Sequence, residues 1–492
     1  MFRKLILILL PLALLPVAFA QDHQNIFDEF LDHANQEFDA FSKQTNSAYV
    51  EFMRKNWEIF YGKEPVAPPV HEEPVVPPVV IPEEELEKDR SPRELPYLEV
   101  VTLPEQAPAP EPIEPVRPVP APPASASVSF ELYGTQCSVL FDVANKPVIK
   151  KGSEWAVADM WAALAGSRVM EATLSDIYRQ RKALDLCDWA YYQFVKSFCD
   201  AVYPDSRVEA RVLQAFIMIQ SGFDLKIGLD GAGQVCPLMA VECELYSYPY
   251  YQVNGRNYYA LEATGSQEMK ILEEDFPADL HPMRITIAQE NRFAEKLSDV
   301  RHLKSEKYTE AAADVTSNMN LIAFYDEYPL AFVNNDMRTK WRFYANVPAS
   351  RNVRATLYPA LRKAVAGKSE LDAVSVLLNF VQTAMEYEFD EKVWGEERAF
   401  FSDESLYYPY CDCEDRSILF SRLVRDIVGL DVVLVYYPGH LAAAVRFNEN
   451  VPGDYIPCNN SRYTVCDPTY INAPVGVTMP DMDNSSAFVL ML

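Results

Sequence analysis

Apolar and polar positions near the amino terminus follow helical periodicity. Aromatic residues recur there every eleven positions, in two series: Phe27, Phe38, Tyr49 and Phe60, and Phe30, Phe41 and Phe52. Eleven residues complete three helical turns, so side chains at this spacing stay on one face of a helix. The pattern predicts an amphipathic helix within residues 21–63. Its aromatic face is expected to pack against another helix or a second copy of the chain, or to dock a partner through residues 26–61.

A proline-rich, acidic segment follows this helix. Residues 64–126 contain runs such as EPVAPPVHEEPVVPPVVIPEEE. Proline lacks a backbone donor and favours extended polyproline geometry. The composition therefore predicts a stiff linker rather than a folded unit.

Beyond the linker, the periodicity alternates between strand and helix. A strand pair leads into a long helical region, Trp155–Tyr203, and then into a further helix and apolar strands. This pattern predicts an α+β unit over residues 127–290. Polar residues with helical spacing between Arg292 and Met319 predict a helical connector within residues 291–345.

The last part of the chain, residues 346–492, combines helices with strands. Two helical patterns are followed by a predicted long loop, Asp390–Tyr410. Directly after Cys413, one apolar stripe runs to Gly429, which is typical of a helix ended by glycine. Three strand-like runs then complete the pattern, and the fold class as a whole is predicted to be α+β.

The first twenty residues resemble a secretory signal. Arg3 and Lys4 precede an apolar run from Leu5 to Leu15, and the small-residue ending Ala-Phe-Ala closes at Ala20. Such a segment is too short to span a bilayer and is typical of a cleaved export signal. The mature protein is predicted to be exported, to the periplasm or the extracellular space, with no membrane span.

The net charge of −27 makes some classes of binding partner less favourable than others. A chain this acidic repels phosphate backbones and anionic lipid surfaces. Nucleic-acid binding and membrane-surface roles are therefore disfavoured.

The chain carries nine cysteines, an odd number that leaves at least one thiol without an intramolecular partner. In an exported protein, cysteines close in sequence are candidates for disulfides. Such candidate pairs are Cys458 with Cys466, Cys187 with Cys199, and Cys236 with Cys243.

Three residues in the last part could carry chemistry together. Cys413 lies at a predicted helix start, where free N–H groups and the helix dipole favour the thiolate, although the charges of Glu414 and Asp415 oppose it. His440 opens the second strand run, and Asp467 lies near the end of the third. These residues are predicted to meet as nucleophile, base and orienting group.

The strings CEDRSILFSRLVRDIVGL, GHLAAAV and CDPTY resemble the transglutaminase-like superfamily, a branch of the papain-type cysteine enzymes. The similarity covers about residues 371–477, and the longer strings resemble an exported subgroup associated with Bacteroidetes. The resemblance implies a catalytic helix packed on an antiparallel sheet. It assigns Cys413 as nucleophile, His440 as general base and Asp467 as the residue that orients the imidazole.

The implied reaction is acyl transfer from a peptide or protein amide through a thioester, with hydrolysis favoured over crosslinking. The oxyanion hole would use the Cys413 N–H and one side-chain donor, for which Gln382, Trp394 and Tyr408 are candidates. No motif predicts a cofactor.

Other interpretations of the same residues remain open. Cys411 and Cys413 could form disulfides, with each other or elsewhere, which would silence the nucleophile. A metal site made from Cys411, Cys413 and His440 is disfavoured because no second CxxC or His pair would complete tetrahedral coordination, and no bound metal is predicted. A non-catalytic envelope scaffold that binds peptide or cell-wall material is the alternative function.

The chain also contains a faint internal repeat. A shift of 205 positions aligns VEARVL with CEDRSI and YYALEAT with YTVCDPT. The positions of the three candidate residues are then taken by Val208, Val235 and Glu262. Residues 155–290 are therefore hypothesised to be a degenerate transglutaminase-like copy without catalytic power.

Overall fold

The computed structural model describes residues 40, 42–55, 57–68, 79–86, 88, 90–102, 126–149, 152–262, 267–395 and 397–492. The predicted signal segment, residues 1–20, lies outside the described residues. So do the first half of the predicted amphipathic helix and much of the proline-rich segment.

The described residues form the α+β fold that the sequence predicts. The α-helices are α1 (residues 42–53), α2 (Glu83–Leu86), α3 (Glu154–Ala165), α4 (Arg168–Ala183), α5 (Asp188–Val202), α6 (Arg207–Gln220), α7 (Met319–Asp326), α8 (Lys340–Ala345), α9 (Arg351–Thr356), α10 (Tyr358–Val365), α11 (Glu370–Thr383), α12 (Asp390–Val393), α13 (Ser402–Tyr407) and α14 (Cys413–Leu423). Short 3-10 helices cover Met337–Thr339 and Asn484–Ser486, and a π-helical segment covers Val424–Val428.

The strands are mostly short. They are β1 (Glu58–Tyr61), β2 (Arg93–Glu94), β3 (Glu99–Val101), β4 (Ala126–Leu132), β5 (Thr135–Phe141), β6 (Leu225–Asp230), β7 (Val235–Ala240), β8 (Glu244–Leu245), β9 (Tyr250–Val253), β10 (Arg256–Ala260), β11 (Glu268–Ile271), β12 (Arg301–Lys304), β13 (Ala312–Val315), β14 (Ala331–Phe332), β15 (Glu386–Tyr387), β16 (Tyr410–Cys411), β17 (Val432–Tyr437), β18 (His440–Arg446), β19 (Asp454–Cys458), β20 (Ser461–Cys466) and β21 (Phe488–Met491).

Two large sheets dominate the fold and share one topology. The six-stranded sheet has the order β1-β11-β6-β7-β10-β9, and the seven-stranded sheet has the order β2-β19-β20-β18-β17-β21-β3. In each sheet, five strands taken in chain order occupy the spatial order 5-1-2-4-3, and all their pairings are antiparallel. A helix immediately precedes each set and packs on its second strand, α6 on β7 and α14 on β18. The segment from α6 to β11 and the segment from α14 to β21 are thus built on the same plan. They are the first half and the second half of the fold.

The packing of α14 on β18 depends on small side chains. The inner part of β18 is the run Leu441-Ala-Ala-Ala-Val445, and these residues are fully buried. Because alanine projects little beyond the backbone, a helix can approach this strand closely. The Ser417 hydroxyl donates a hydrogen bond to the Leu441 carbonyl at 2.8 Å, which fixes the helix over the start of the strand.

The amino-terminal helix ends earlier than its pattern predicts. Residues 42–53 are helical, but Glu58–Tyr61 form β1, which pairs with β11. Tyr49 is fully buried and contacts Trp161 and Phe276 edge-on at 5.2 and 5.1 Å. This part of the aromatic face therefore packs into the core of its own chain, where burial of large rings is most stabilising.

The proline-rich segment is not only a linker. Arg93–Glu94 pair in parallel with β19 at one edge of the seven-stranded sheet, and Glu99–Val101 pair in parallel with β21 at the other edge. Leu95, between them, is buried in the cluster that covers this sheet. Proline is tolerated beside edge strands because only one side of such a strand pairs with a neighbour. The proline-rich composition therefore gave no sign of these two strands.

Two further predictions were wrong in detail. The predicted polar helix Arg292–Met319 contains no helix before α7 and instead forms the hairpin β12–β13. The predicted loop Asp390–Tyr410 contains α12 and α13. None of the helices in the described part of the chain has the length and apolarity that a bilayer crossing requires.

Candidate active site

Cys413 is the first residue of α14, as its position in the pattern predicts. Asp412 is the N-cap residue, and the carboxylate of Asp415 reaches back to accept the backbone N–H of Asp412 at 3.3 Å. A hydrogen bond of this kind, from the N-cap residue to an acid three residues later, stabilises the start of a helix. It therefore also fixes where the Cys413 side chain begins.

His440 is the first residue of β18 and follows a two-residue turn, Pro438-Gly439, in which Gly439 has φ 78°. The register of this hairpin pairs Tyr437 with His440. The His440 Nε2 lies 2.9 Å from Asp467 Oδ2, and both side chains are almost fully buried. Two of the three predicted residues are thus in direct contact, and the Nδ1 of His440 is left for another partner.

The loop after β20 holds Asp467 by backbone donors. The other oxygen of its carboxylate, Oδ1, accepts the N–H groups of Thr469 at 2.8 Å and Tyr470 at 3.2 Å. The Gln382 amide, from α11, donates to the carbonyl of Asp467 at 3.0 Å and also to two further carbonyls of the same loop. Gln382 is therefore a residue that positions Asp467.

The three oxyanion candidates do not all have a free donor. The amide of Gln382 is engaged as described, and the hydroxyl of Tyr408 donates to Asp326 at 2.8 Å. Trp394 packs edge-on against Phe400 and Tyr408, with ring centroids 5.8 and 4.8 Å apart. Sequence reasoning could not foresee the engagements of Gln382 and Tyr408, because each depends on a segment far away in the chain.

The Cys413 thiol faces an acidic surrounding. Its Sγ donates to Glu414 Oε2 at 3.2 Å, and the backbone N–H of Leu441, next to His440, donates to the sulfur. Burial raises the pKa of the Cys413 thiol well above its ordinary value, and the charges of Glu414 and Asp412 raise it further. The thiolate expected from the helix start alone is therefore disfavoured, because desolvation and two carboxylates outweigh the helix dipole.

The structure thus joins His440 to Asp467 and places Cys413 beside the first residues of the same strand. Among the described residues, the side-chain hydrogen bond of Cys413 goes to Glu414 rather than to His440. A thiol that is protonated at rest must transfer its proton to a base during the attack on a substrate.

A cluster of buried acids beside Cys413 was not foreseen from the sequence. Asp390 on α12 lies close to Asp412, Asp415 and Glu414, with ligand oxygens within 4.8 Å of one another in overlapping groups. Burial, with repulsion from the neighbouring acids, raises the pKa of Asp390 to about 7, and the pKa values of Asp412 and Asp415 well above their ordinary values. Only the acids next to Cys413 were visible in the motif.

Arg416 is the buried cation nearest in sequence to these acids. The residue is 1% exposed, and its guanidinium donates to the carbonyls of Gln382 at 3.1 Å and Met385 at 2.8 Å. It also lies over the ring of Tyr387 at 5.2 Å. Arg416 thereby ties α14 to the carboxyl end of α11.

All nine cysteines are free thiols in the structure. The predicted pairs Cys458–Cys466, Cys187–Cys199 and Cys236–Cys243 are not formed, and Cys411 is not bonded to Cys413. The Cys411 thiol donates weakly to the Glu386 carbonyl at 3.8 Å instead. Within the described residues, the groups able to hold a metal include neither Cys411 nor His440.

The pH dependence of Cys413 alkylation follows from its acidic neighbours. In EDTA-containing buffer, Glu414→Gln is expected to lower the pKa of the Cys413 thiol, because it removes a negative charge that opposes the thiolate. The thiolate fraction below the midpoint then rises about tenfold for each unit by which the pKa falls. Iodoacetamide labelling followed by mass spectrometry from pH 6 to 10 measures the shift, and the exposed Glu391→Gln serves as control. A midpoint that is unchanged in Glu414→Gln would contradict this electrostatic explanation.

Comparisons with known proteins do not identify the chain. No protein-family model matches it, and no curated protein shows significant similarity to it.

Proposed function

We propose that the chain is an exported thiol enzyme of transglutaminase-like type, which cleaves amide bonds in peptides or proteins through Cys413, His440 and Asp467. The observation that carries the proposal is the buried 2.9 Å contact between His440 Nε2 and Asp467 Oδ2, next to a thiol at a helix start. A carboxylate that holds one imidazole nitrogen leaves the other to act as a base. The motif strings around all three residues supply the resemblance to the family.

The proposed chemistry uses His440 as a proton carrier. As the Cys413 sulfur attacks the amide carbonyl carbon, His440 Nδ1 takes the thiol proton. The C–N bond then breaks, and His440 gives that proton to the leaving amine. Water next attacks the thioester and its proton passes through His440 to the departing sulfur, which restores the thiol and releases the acid. The carboxylate of Asp467 stabilises the imidazolium in both halves of the cycle.

The oxyanion that forms during attack needs at least two donors. Cys413 is the first residue of α14, so its backbone N–H has no acceptor within the helix. Of the side chains considered, Trp394 stays a candidate for the second donor, since the hydroxyl of Tyr408 and the amide of Gln382 already bind other groups. Hydrolysis is proposed over crosslinking because no motif in the sequence indicates the shielding of a thioester from water that crosslinking requires.

We propose further that the first half is a degenerate copy of the second. Val208 is the second residue of α6, Val235 opens β7 and Glu262 follows β10, which are close to the places that the candidate residues hold in the other half. Glu262 there forms an ion pair with the buried Arg211 at 2.8 Å. The thiol and imidazole are replaced by valines, so this half would serve packing or substrate binding.

A specific observation favours the alternative, a non-catalytic scaffold for peptide or cell-wall material. The thiol of Cys413 is buried and donates a hydrogen bond to Glu414, and its raised pKa favours the neutral form. An enzyme must expose or activate this thiol when substrate binds, whereas a scaffold need not.

The experiment that tests the function is cleavage of a complex peptide mixture by the purified mature protein, compared with Cys413→Ala. New peptide amino termini that form only with the wild type would support the proposed hydrolase. Incorporation of an added primary amine would identify a transferase instead. If wild type and Cys413→Ala give the same peptides, the catalytic proposal fails and the scaffold remains.

A further inference from the structure

We propose that the buried acids beside Cys413 form a binding site for one hard divalent cation, of the calcium, magnesium and manganese class. The ligands would be the carboxylates of Asp390, Asp412 and Glu414, with Glu397 as a fourth. The site would bind its ion whether or not Cys413 reacts, so the proposal does not rest on the proposed amide chemistry.

The carboxylates of Asp390, Asp412 and Glu414 lie close to one another pair by pair, and Glu397 lies close to Asp390 and Glu414. Ligand atoms of Asp390, Asp412 and Asp415 lie within 4.8 Å of one another, and so do those of Asp390, Glu397 and Glu414. Asp412 and Glu414 also belong to a third such group with Cys413. Such separations are compatible with oxygen ligands about 2.3–2.6 Å from one calcium ion, or about 2.1 Å from one magnesium ion.

The second observation is a pair of buried carboxylate oxygens without a partner. Asp412 Oδ1 and Glu414 Oε1 are inaccessible and accept no hydrogen bond, although each residue is only 4% exposed. A buried carboxyl oxygen without a partner lowers the stability of a protein, so native structures satisfy nearly all such oxygens. Asp412 and Glu414 belong to one of the groups of neighbouring ligand atoms. A cation bound between them would give both oxygens a partner.

The neighbouring basic side chains do not donate to Asp412 Oδ1 or Glu414 Oε1. The guanidinium of Arg416 is directed to the carbonyls of Gln382 and Met385, and Arg398 pairs with Asp326 and with Glu404. The Lys340 ammonium lies 3.7 Å from Glu397 and is the nearest ion-pair partner at the edge of the cluster. The centre of the cluster therefore holds more carboxyl groups than cations.

The ligand atoms select the class of ion. Carboxylate oxygens favour hard cations such as calcium, magnesium and manganese, whereas thiolate and imidazole favour zinc or copper. His440 belongs to none of the groups. Glu397 has a side chain that is 20% exposed, which gives an ion a way into the site from solvent.

The test is calorimetric titration of the chelator-treated, full-length mature protein with Ca²⁺, Mg²⁺ and Mn²⁺, and separately with Zn²⁺. We expect one hard cation per chain, confirmed by elemental analysis after dialysis. Asp390→Asn should weaken binding at least tenfold and Glu397→Gln should weaken it several-fold. The matched control, Glu391→Gln, removes an exposed acid from the same helix and should leave the affinity unchanged, as should Cys413→Ser.

Three results would overturn the proposal. The first is no binding of the three hard cations at millimolar concentration by a protein that is folded by circular dichroism. The second is binding that Asp390→Asn leaves intact. The third is binding of Zn²⁺ alone that is lost in Cys413→Ser, because it would assign the ion to the Asp412–Cys413–Glu414 group. If Asp390→Asn does not fold, the partly exposed Glu397→Gln carries the test against the Glu391→Gln control.

Discussion

His440→Ala is expected to slow the acylation of Cys413 by an activated ester, such as p-nitrophenyl acetate, by about two to four orders of magnitude. The reason lies in the state of the thiol. Because burial and the neighbouring carboxylates raise the pKa of Cys413, hardly any thiolate exists at neutral pH, and attack depends on a base that takes the proton. His440, held by Asp467 at 2.9 Å, is the base that the geometry provides.

A second histidine–aspartate pair supplies the matched control. His302 Nδ1 lies 2.5 Å from Asp314 Oδ1 on the hairpin β12–β13, and both side chains are largely exposed. His302→Ala should leave the acylation rate within twofold of the wild type. Equal rates in His440→Ala and the wild type, measured by nitrophenolate release and by mass spectrometry of the Cys413 peptide, would remove His440 from the mechanism.

Arg416→Met is expected to lower the free energy of unfolding by about 3–5 kcal/mol, because each buried acceptor left without a donor costs about 1–3 kcal/mol. Methionine keeps most of the apolar volume but removes the two N–H donors that satisfy the carbonyls of Gln382 and Met385. Both carbonyls would then be buried without these donors, and the acids near Cys413 would lose their buried positive neighbour. Urea denaturation followed by circular dichroism measures the change.

The control for Arg416→Met is Arg354→Met. Arg354 has a side chain that is 47% exposed and a distant ion pair with Glu290 at 3.8 Å. Its replacement should change stability by no more than about 0.5 kcal/mol. A similar loss in both variants would mean that Arg416 has no special structural role.

The sequence predicts those parts of the site that local pattern controls. The apolar stripe after Cys413 sets the start of α14, and the Pro438-Gly439 turn sets the start of β18 at His440. Asp467 follows β20 because Pro468 ends the strand run. Once these elements pack in antiparallel order, the ends of β18 and β20 meet, and the contact between His440 and Asp467 follows.

Features that depend on distant segments escape sequence reasoning. Asp390 joins the acids beside Cys413 only because α12 folds back towards the start of α14, in a stretch that reads as a loop. Gln382 lies on α11, and its engagement with the Asp467 loop depends on how that loop turns. The edge strand at Arg93 is set by pairing with β19, which leaves no periodic signal in two residues.

The sequence places Cys413 at a helix start, but the thiolate that this position favours is opposed by the surroundings of the sulfur. The helix start is where the pattern places it, yet the carboxylates of Asp412 and Glu414 oppose the dipole at short range. The full charge of a carboxylate close to the sulfur has a larger effect on the thiol pKa than the partial charge at a helix end, especially where water is excluded.

The decisive measurement is the site of the covalent adduct in wild-type protein that is mixed with p-nitrophenyl acetate and quenched in acid within the first turnover. We expect a single acyl group, attached as a thioester to Cys413, in an amount that approaches one per chain. An adduct on another residue, or none on Cys413, would contradict the assignment of this cysteine as a nucleophile and leave the chain as a binding scaffold.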